Sequence, residues 1–140
     1  MVSYRRQQTG VYGTMVGIVI VSHSQKLAEG VVDVTKIMAD GCPIAAAGGM
    51  EDGSYGTSYE KIMNAIESVH GEDGVVVLMD MGSAVMTTEM VLEDLGYEDV
   101  VMVDCPIAEG AIAASLSSLC GADLESVKQE ALSARTSAKL

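Results

Sequence analysis

Four short apolar runs, each followed by a stretch with helical spacing, constrain the fold of this chain more than anything else in it. The runs cover Val16 to Val21, Pro43 to Ala47, Val75 to Asp80 and Val100 to Val103. Runs this short and this rich in β-branched residues suit strands buried on both faces. After the first, Leu27, Val31, Val34 and Met38 recur at spacings of four, three and four, which predicts one helical stripe facing the core. Tyr59, Ile62, Met63 and Ile66 mark a second helix, and a third is expected from about Ser83 to Leu95, stopped by Gly96. The segments "AEGAIAASLSSL" and "DLESVKQEALSARTSAKL" read as two more. Strand and helix alternation predicts an α/β fold: a three-layer, doubly wound, mainly parallel sheet with helices on both sides.

The 140 residues suffice for one domain with a proper core. With no Trp, no Phe and ten Met, that core is expected to be filled by Met and by many Val, Ala and Gly. Residues 1–14, "MVSYRRQQTGVYGT", are polar and read as an extension ahead of a single domain over 15–140. They lack the apolar stretch of a signal peptide, and no run reaches the ~18 apolar residues of a membrane span. A cytoplasmic location without membrane attachment is therefore expected. A net charge of −12 argues against nucleic acid as a partner. That acidity serves solubility, or docking to a basic face. Cys42, Cys105 and Cys120 form no C-x-x-C pair and read as small buried hydrophobes, so neither a disulfide framework nor a metal site is expected.

The chain has two histidines, and one stands at the tip of the first strand, in "IVIVSHSQKLAEG". Ser22 and Gln25 have the spacing of a capping box, which predicts His23 in the first turn of the helix; Thr57 and Glu60 have the same spacing before the second helix. In a doubly wound sheet, ligands sit beyond the carboxyl ends of the strands, where the strand order reverses. Under the order 2-1-3-4, strands one and three are neighbours at that point. His23 then meets Asp80, at the end of the third run. His70 falls at the opposite edge and reads as a helix C-terminal residue.

A histidine nucleophile must be neutral, and the positive end of a helix disfavours an imidazolium. A carboxylate on one ring nitrogen fixes the tautomer and leaves the other lone pair free. Backbone N–H groups and hydroxyls at Ser24, Gly82 and Ser83 could receive an anion. Together these make a covalent phosphohistidine site, with His23 as phosphoryl acceptor and donor and Asp80 orienting it. A capping-turn histidine beside a solvated aspartate has the same spacing. The loop "GGMEDGSYGTS" is not a P-loop, since no G-K-[ST] follows. Its glycines supply positive φ for turns, or it walls the phosphohistidine and touches the acceptor subunit.

"IVIVSHSQKLAEGV", "AAAGGMEDGSYGTS", "IMNAIESV" and "VVLMDMGSAVMTTEMVLE" closely resemble the phosphotransferase subunit of phosphotransferase-system-dependent dihydroxyacetone kinase, over roughly Met15 to Ala122. The resemblance implies the fold of mannose-type enzyme IIA domains. It implies that His23 takes a phosphoryl group from the phosphocarrier protein HPr and passes it to ADP held on the kinase's nucleotide-binding subunit. It also implies a homodimer, no cofactor, and a separate HPr, because the chain ends before the extra phosphocarrier domains that some members carry. Mannose transporter IIA domains are less similar. They have His-Gly after the first strand and a longer D-x-x-G-G-S-P after the third, where this chain has Ser24 and "DMGSAV". An enzyme IIA role in sugar transport remains an alternative. A receiver-like or flavodoxin-like module without phosphohistidine chemistry is another; a receiver would need acidic metal ligands where Ser-His-Ser stands.

Overall fold

The strand β1 (Gly17–Ser22) runs through the centre of a four-stranded parallel sheet with β2 (Ile44–Gly48) on one side and β3 (Val75–Met79) on the other, and β4 (Val100–Val103) completes the order β2-β1-β3-β4. The computed structural model describes residues 15–140; the expected N-terminal extension over 1–14 lies outside them. Between the strands lie α1 (Gln25–Met38), α2 (Tyr59–Val69) and α3 (Gly82–Leu95), and α4 (Ile107–Leu119) and α5 (Leu124–Ser133) follow β4.

Period two on the strands divides the core into two layers. Ile18, Ile20, Val76, Leu78 and Val103 point to one side, where Ala28, Val31 and Val32 of α1, Ala111 and Ala114 of α4, and Val127 and Ala131 of α5 cover them. Val19, Val21, Val75, Val77 and Met79 point to the other, against Ile62, Ala65 and Ile66 of α2 and Ala84 and Val91 of α3. All of β1 is buried, which explains its unbroken β-branched run. Full burial of one such side chain stabilises by roughly 1.5–3 kcal/mol. Truncating Ile20 to alanine would cost about 2–5 kcal/mol, because the cavity lies between packed layers on a central strand.

The predicted strands stand within one residue of those observed. The predicted stripe on α1 does not hold. Leu27, Val34 and Met38 are exposed, and the buried face is Ala28, Val31, Val32 and Thr35. The helix is turned by about one residue, for a steric reason. A Cβ on Gly48 would stand 2.5 Å from the Ser24 carbonyl oxygen and 2.7 Å from the Ala28 Cβ, so β2 and α1 meet through a glycine and an alanine. Thr35 tolerates burial because its hydroxyl donates to the Val31 carbonyl at 2.8 Å.

Both expected capping boxes are also displaced. The N-cap of α1 is Ser24, whose side chain accepts from the Leu27 N–H, so His23 precedes the helix rather than lying in its first turn. Gln25 instead donates to Glu29 at 3.0 Å. The N-cap of α2 is Ser58, not Thr57. At the end of α3, Gly96 takes φ of 68° and its N–H returns to the Leu92 carbonyl, as its position predicts. Among the cysteines, Cys42 and Cys105 are buried as expected but Cys120, the residue that closes α4, is exposed.

Candidate functional site

The order reverses between β1 and β3, and their carboxyl ends bring together the two residues singled out in the sequence. Asp80 follows β3 directly and is anchored by its backbone N–H to the Val21 carbonyl at 3.2 Å. Its carboxylate accepts three hydrogen bonds. Oδ1 lies 2.9 Å from His23 Nδ1, and Oδ2 accepts from the Ser22 hydroxyl at 2.8 Å and from the His23 backbone N–H at 3.0 Å. Burial alone would push this carboxyl up. The hydrogen bonds from the His23 backbone, the His23 ring and Ser22 outweigh it, and hold Asp80 below the ordinary aspartate value.

An ionised carboxylate only accepts, so the ring nitrogen facing it carries the proton. In the neutral ring this is the Nδ1–H tautomer, whose Nε2 lone pair faces away from Asp80. The group it meets is the Ser83 hydroxyl, which donates to it from the first turn of α3. With side chains 23% and 13% exposed, His23 can be reached from solvent while Asp80 is mostly shielded.

Four of the five predicted site residues cluster as expected. His23, Asp80 and Ser83 are in hydrogen-bond contact, and Gly82 opens α3 with nothing near its missing Cβ. Ser24 is adjacent, but its hydroxyl oxygen is engaged as the α1 cap. Ser22 was read from the sequence only as a cap. Its hydroxyl instead donates to Asp80 and accepts from the Ser24 N–H at 3.0 Å, which makes it the bridge between strand tip and carboxylate. In "SHS" either serine can serve as a cap, and the capping-box rule selected the wrong one. The glycine loop fulfils the turn reading, and its backbone also bonds to the strand tip. Gly49, Gly53 and Gly56 have φ of 67°, 86° and 143°, and the Gly56 N–H donates to the His23 carbonyl at 2.9 Å. His70 closes α2 at the opposite edge, as expected.

Such an arrangement can hold a neutral imidazole rigidly, aim one lone pair outward, and offset positive charge that develops on the ring. Those are the requirements of a nitrogen nucleophile. Comparison with known proteins shows the family of the chain. The phosphoryl donor subunit DhaM of the phosphoenolpyruvate-dependent dihydroxyacetone kinase of Escherichia coli K12 is 44% identical over 127 residues, covering 86% of this chain but 27% of that protein. This chain thus spans about a quarter of the length of that relative. The phosphotransferase subunit DhaM of the dihydroxyacetone kinase of Lactococcus lactis is 37% identical over 114 residues, 81% of this chain and 91% of that protein. Among solved structures, a crystallised protein of unknown function superposes with a TM-score of 0.78 at 29% identity, covering 90% of this chain and 99% of its own. The model of the EIIA-man family, described as the PTS system fructose IIA component, matches residues 17–128, and the chain belongs to that family.

Proposed function

We propose that the chain, acting over residues 15–140, is a phosphohistidine relay serving a dihydroxyacetone kinase. His23 Nε2 attacks the phosphorus of phosphorylated HPr; the new N–P bond forms as the bond to the HPr histidine breaks, and that histidine leaves with the electron pair. In the second half, an oxygen of the β-phosphate of ADP, held on the nucleotide-binding subunit, attacks the same phosphorus. The His23 N–P bond breaks and ATP is formed. Asp80 stabilises the ring while it carries positive charge, and Ser83 with the N–H groups at Gly82 receives the phosphoryl oxygens. Ser24 lines the approach.

The observation that carries this reading is the Nδ1–Asp80 contact at 2.9 Å, which leaves Nε2 on the far side of the ring, facing the Ser83 hydroxyl. A receiver-like role is disfavoured, because both oxygens of Asp80 are occupied by Ser22 and His23. The nucleophile lies at the surface beside exposed methionines. Met86 and Met90 continue the face of α3 that begins at Ser83, and Met81 precedes it. Methionine surfaces adapt to more than one partner, as a relay with a donor and an acceptor requires. We place HPr docking on this rim, where an acidic chain favours a basic partner. A homodimer would cover the other exposed apolar stripe, Leu27, Val34, Ile37 and Met38 of α1 with Leu116 and Leu119 of α4. No helix among the described residues is long and apolar enough to cross a membrane, in keeping with cytoplasmic work.

Incubation with phosphoenolpyruvate, enzyme I and HPr, followed by native mass spectrometry, tests the reading in one experiment. One phosphoryl group per chain, on Nε2 of His23, is expected, on particles of two chains; ATP alone should add nothing. Uptake by a His23→Ala variant, or labelling of His70, would overturn the site. An enzyme IIA role in sugar transport is the second reading, favoured by the description of the family model. It would be established by transfer to a permease IIB subunit in place of ADP on the kinase.

A further inference from the structure

Hydrogen bonds from one dipeptide of the glycine loop reach both His23 and the helix that carries Ser83. The Gly56 N–H donates to the His23 carbonyl at 2.9 Å. Next to it, Thr57 Oγ1 lies 3.0 Å from Thr87 Oγ1 on α3. Thr87 in turn donates to the carbonyl of Ser83, one turn back, at 2.9 Å. A hydroxyl has one proton. That of Thr87 is engaged by Ser83, so Thr57 is the donor in the bond between the threonines. The bonds run in one direction, from Thr57 through Thr87 to Ser83, and each polarises the next. They end on the residue whose own hydroxyl meets His23 Nε2.

The start of α3 has need of such a support. Its N-cap, Met81, supplies no side-chain hydrogen bond, unlike Ser24 before α1 and Ser58 before α2. Thr57 is a firm anchor, because its backbone bridges Gly49 and it directly precedes the cap of α2. Two neighbouring residues thus tie down the strand tip bearing the nucleophile and the helix turn bearing its hydroxyl partner.

We propose that Thr57, acting through Thr87, is a positioning residue of the transfer site: the Gly56–Thr57 step clamps the His23 backbone to the first turn of α3 and so fixes the separation of Nε2 from the Ser83 hydroxyl. This rests on the reading of His23 as the phosphoryl carrier. Neither threonine touches the reacting atoms. Before transfer, the clamp keeps Ser83 on the Nε2 lone pair. After transfer, Ser83 has only to turn its hydroxyl to donate to a phosphoryl oxygen. Displacements near 1 Å in such a site can cost on the order of a hundredfold in rate.

The test uses the full chain with Thr57→Val, which replaces the hydroxyl by a methyl group of similar size, Thr57→Ser, which retains it, Thr87→Val, and the double valine variant. Phosphoryl uptake from phosphorylated HPr is followed by rapid quench, and the ring nitrogens of His23 by 15N NMR. Thr57→Val should lower the rate at saturating HPr about tenfold and leave the half-saturating HPr concentration unchanged. Its Nε2 resonance should move toward that of a nitrogen without a donor. Thr57→Ser should restore both within about twofold. The double variant should be no slower than the slower single variant, since both changes cut one chain of bonds. Wild-type rate and Nε2 resonance in Thr57→Val, additive losses in the double variant, or no rescue by serine would each overturn the clamp. If Thr57→Val does not fold, Thr87→Val breaks the same bond from α3 and takes its place. The 15N comparison needs no transfer, so it reads the clamp even if wild-type protein takes up no phosphoryl group, a result that would refute the carrier reading alone.

Discussion

The protein carries two histidine–aspartate pairs of nearly equal length at opposite edges of one sheet, His23–Asp80 at 2.9 Å and His70–Asp99 at 2.8 Å. Everything around the contacts differs. Asp80 receives a backbone N–H and a hydroxyl besides the ring, and its side chain is 13% exposed; that of Asp99 is 41% exposed. The His23 ring meets a hydroxyl at the start of a helix, while the His70 ring stacks on Tyr97 with centroids 4.0 Å apart and planes 3° from parallel. His23 stands at the carboxyl end of β1, at the reversal of strand order; His70 stands at the end of α2, before β3 begins. A histidine–carboxylate contact is therefore a common element, and chemistry depends on what the second nitrogen faces and on where the pair sits in the sheet.

Neutralising each aspartate should separate the pairs most strongly. Asp80→Asn cannot keep the network whichever way its amide is turned. With the NH2 toward the ring, Nδ1 must accept, and the lone pair is lost from Nε2. With the NH2 toward Ser22, it confronts two donors. Loss of a charge-assisted hydrogen bond that acts fully in the transition state costs about 1.5–3 kcal/mol, or one to two decades in rate. Asp99→Asn should leave the rate of phosphoryl uptake within about twofold. Rapid-quench rates for the two variants check this, and equal losses would dissolve the distinction between the edges.

The sequence made the first pair legible for a simple reason. Buried parallel strands announce themselves as unbroken β-branched runs, so the strand tips could be placed to within a residue, and the reversal of strand order did the rest. Side-chain hydrogen bonds of short polar residues were not legible in this way. Ser22 and Thr57 both occupy capping-box positions, yet each donates to the site, one to Asp80 and the other to Thr87, and Ser24 and Ser58 cap the helices. Local rules favour the pattern with a Gln or Glu three residues on; tertiary partners far along the chain reversed the choice. The face of α1 was misread because the pattern weighs Leu27 and Met38 as core, and cannot register that Gly48 and Ala28 draw the helix onto β2 by their smallness.

A charge test sharpens the comparison on the His23 side. Asp80 titrates below an ordinary aspartate, so between its folded value and the unfolded value near 3.9 the unfolded chain binds more protons. Stability then rises with pH across that window. The contribution of Asp80 is fully present above about pH 4–5 and is lost as pH falls through the folded value. Wild type should be more stable than Asp80→Asn at neutral pH, and the gap should close in acid, as followed by urea unfolding at a series of pH values. A gap that persists below the folded value would mean that the carboxylate contributes by packing rather than by accepting hydrogen bonds.

The smallest effect belongs to the His70 edge, and it should appear in stability alone. Tyr97 packs partly against the layer formed by α2 and α3 and adds its ring to His70. Replacing it with leucine retains much of the apolar contact and removes the stacked pair, worth about 0.5–1.5 kcal/mol beyond area for aromatic rings. For a domain of this size that lowers Tm by a few degrees. Thermal unfolding followed by circular dichroism reads the loss, and phosphoryl uptake by the same variant should match wild type at a temperature well below the transition. The reason is distance along β3: five buried residues, Val75 to Met79, lie between the two edges, packed on both faces and paired with β1 and β4. A strand held on all sides resists passing on a small shift at its start. If Tyr97→Leu slowed transfer while remaining folded, β3 would be moving as a rod, and the two pairs would be two ends of one device.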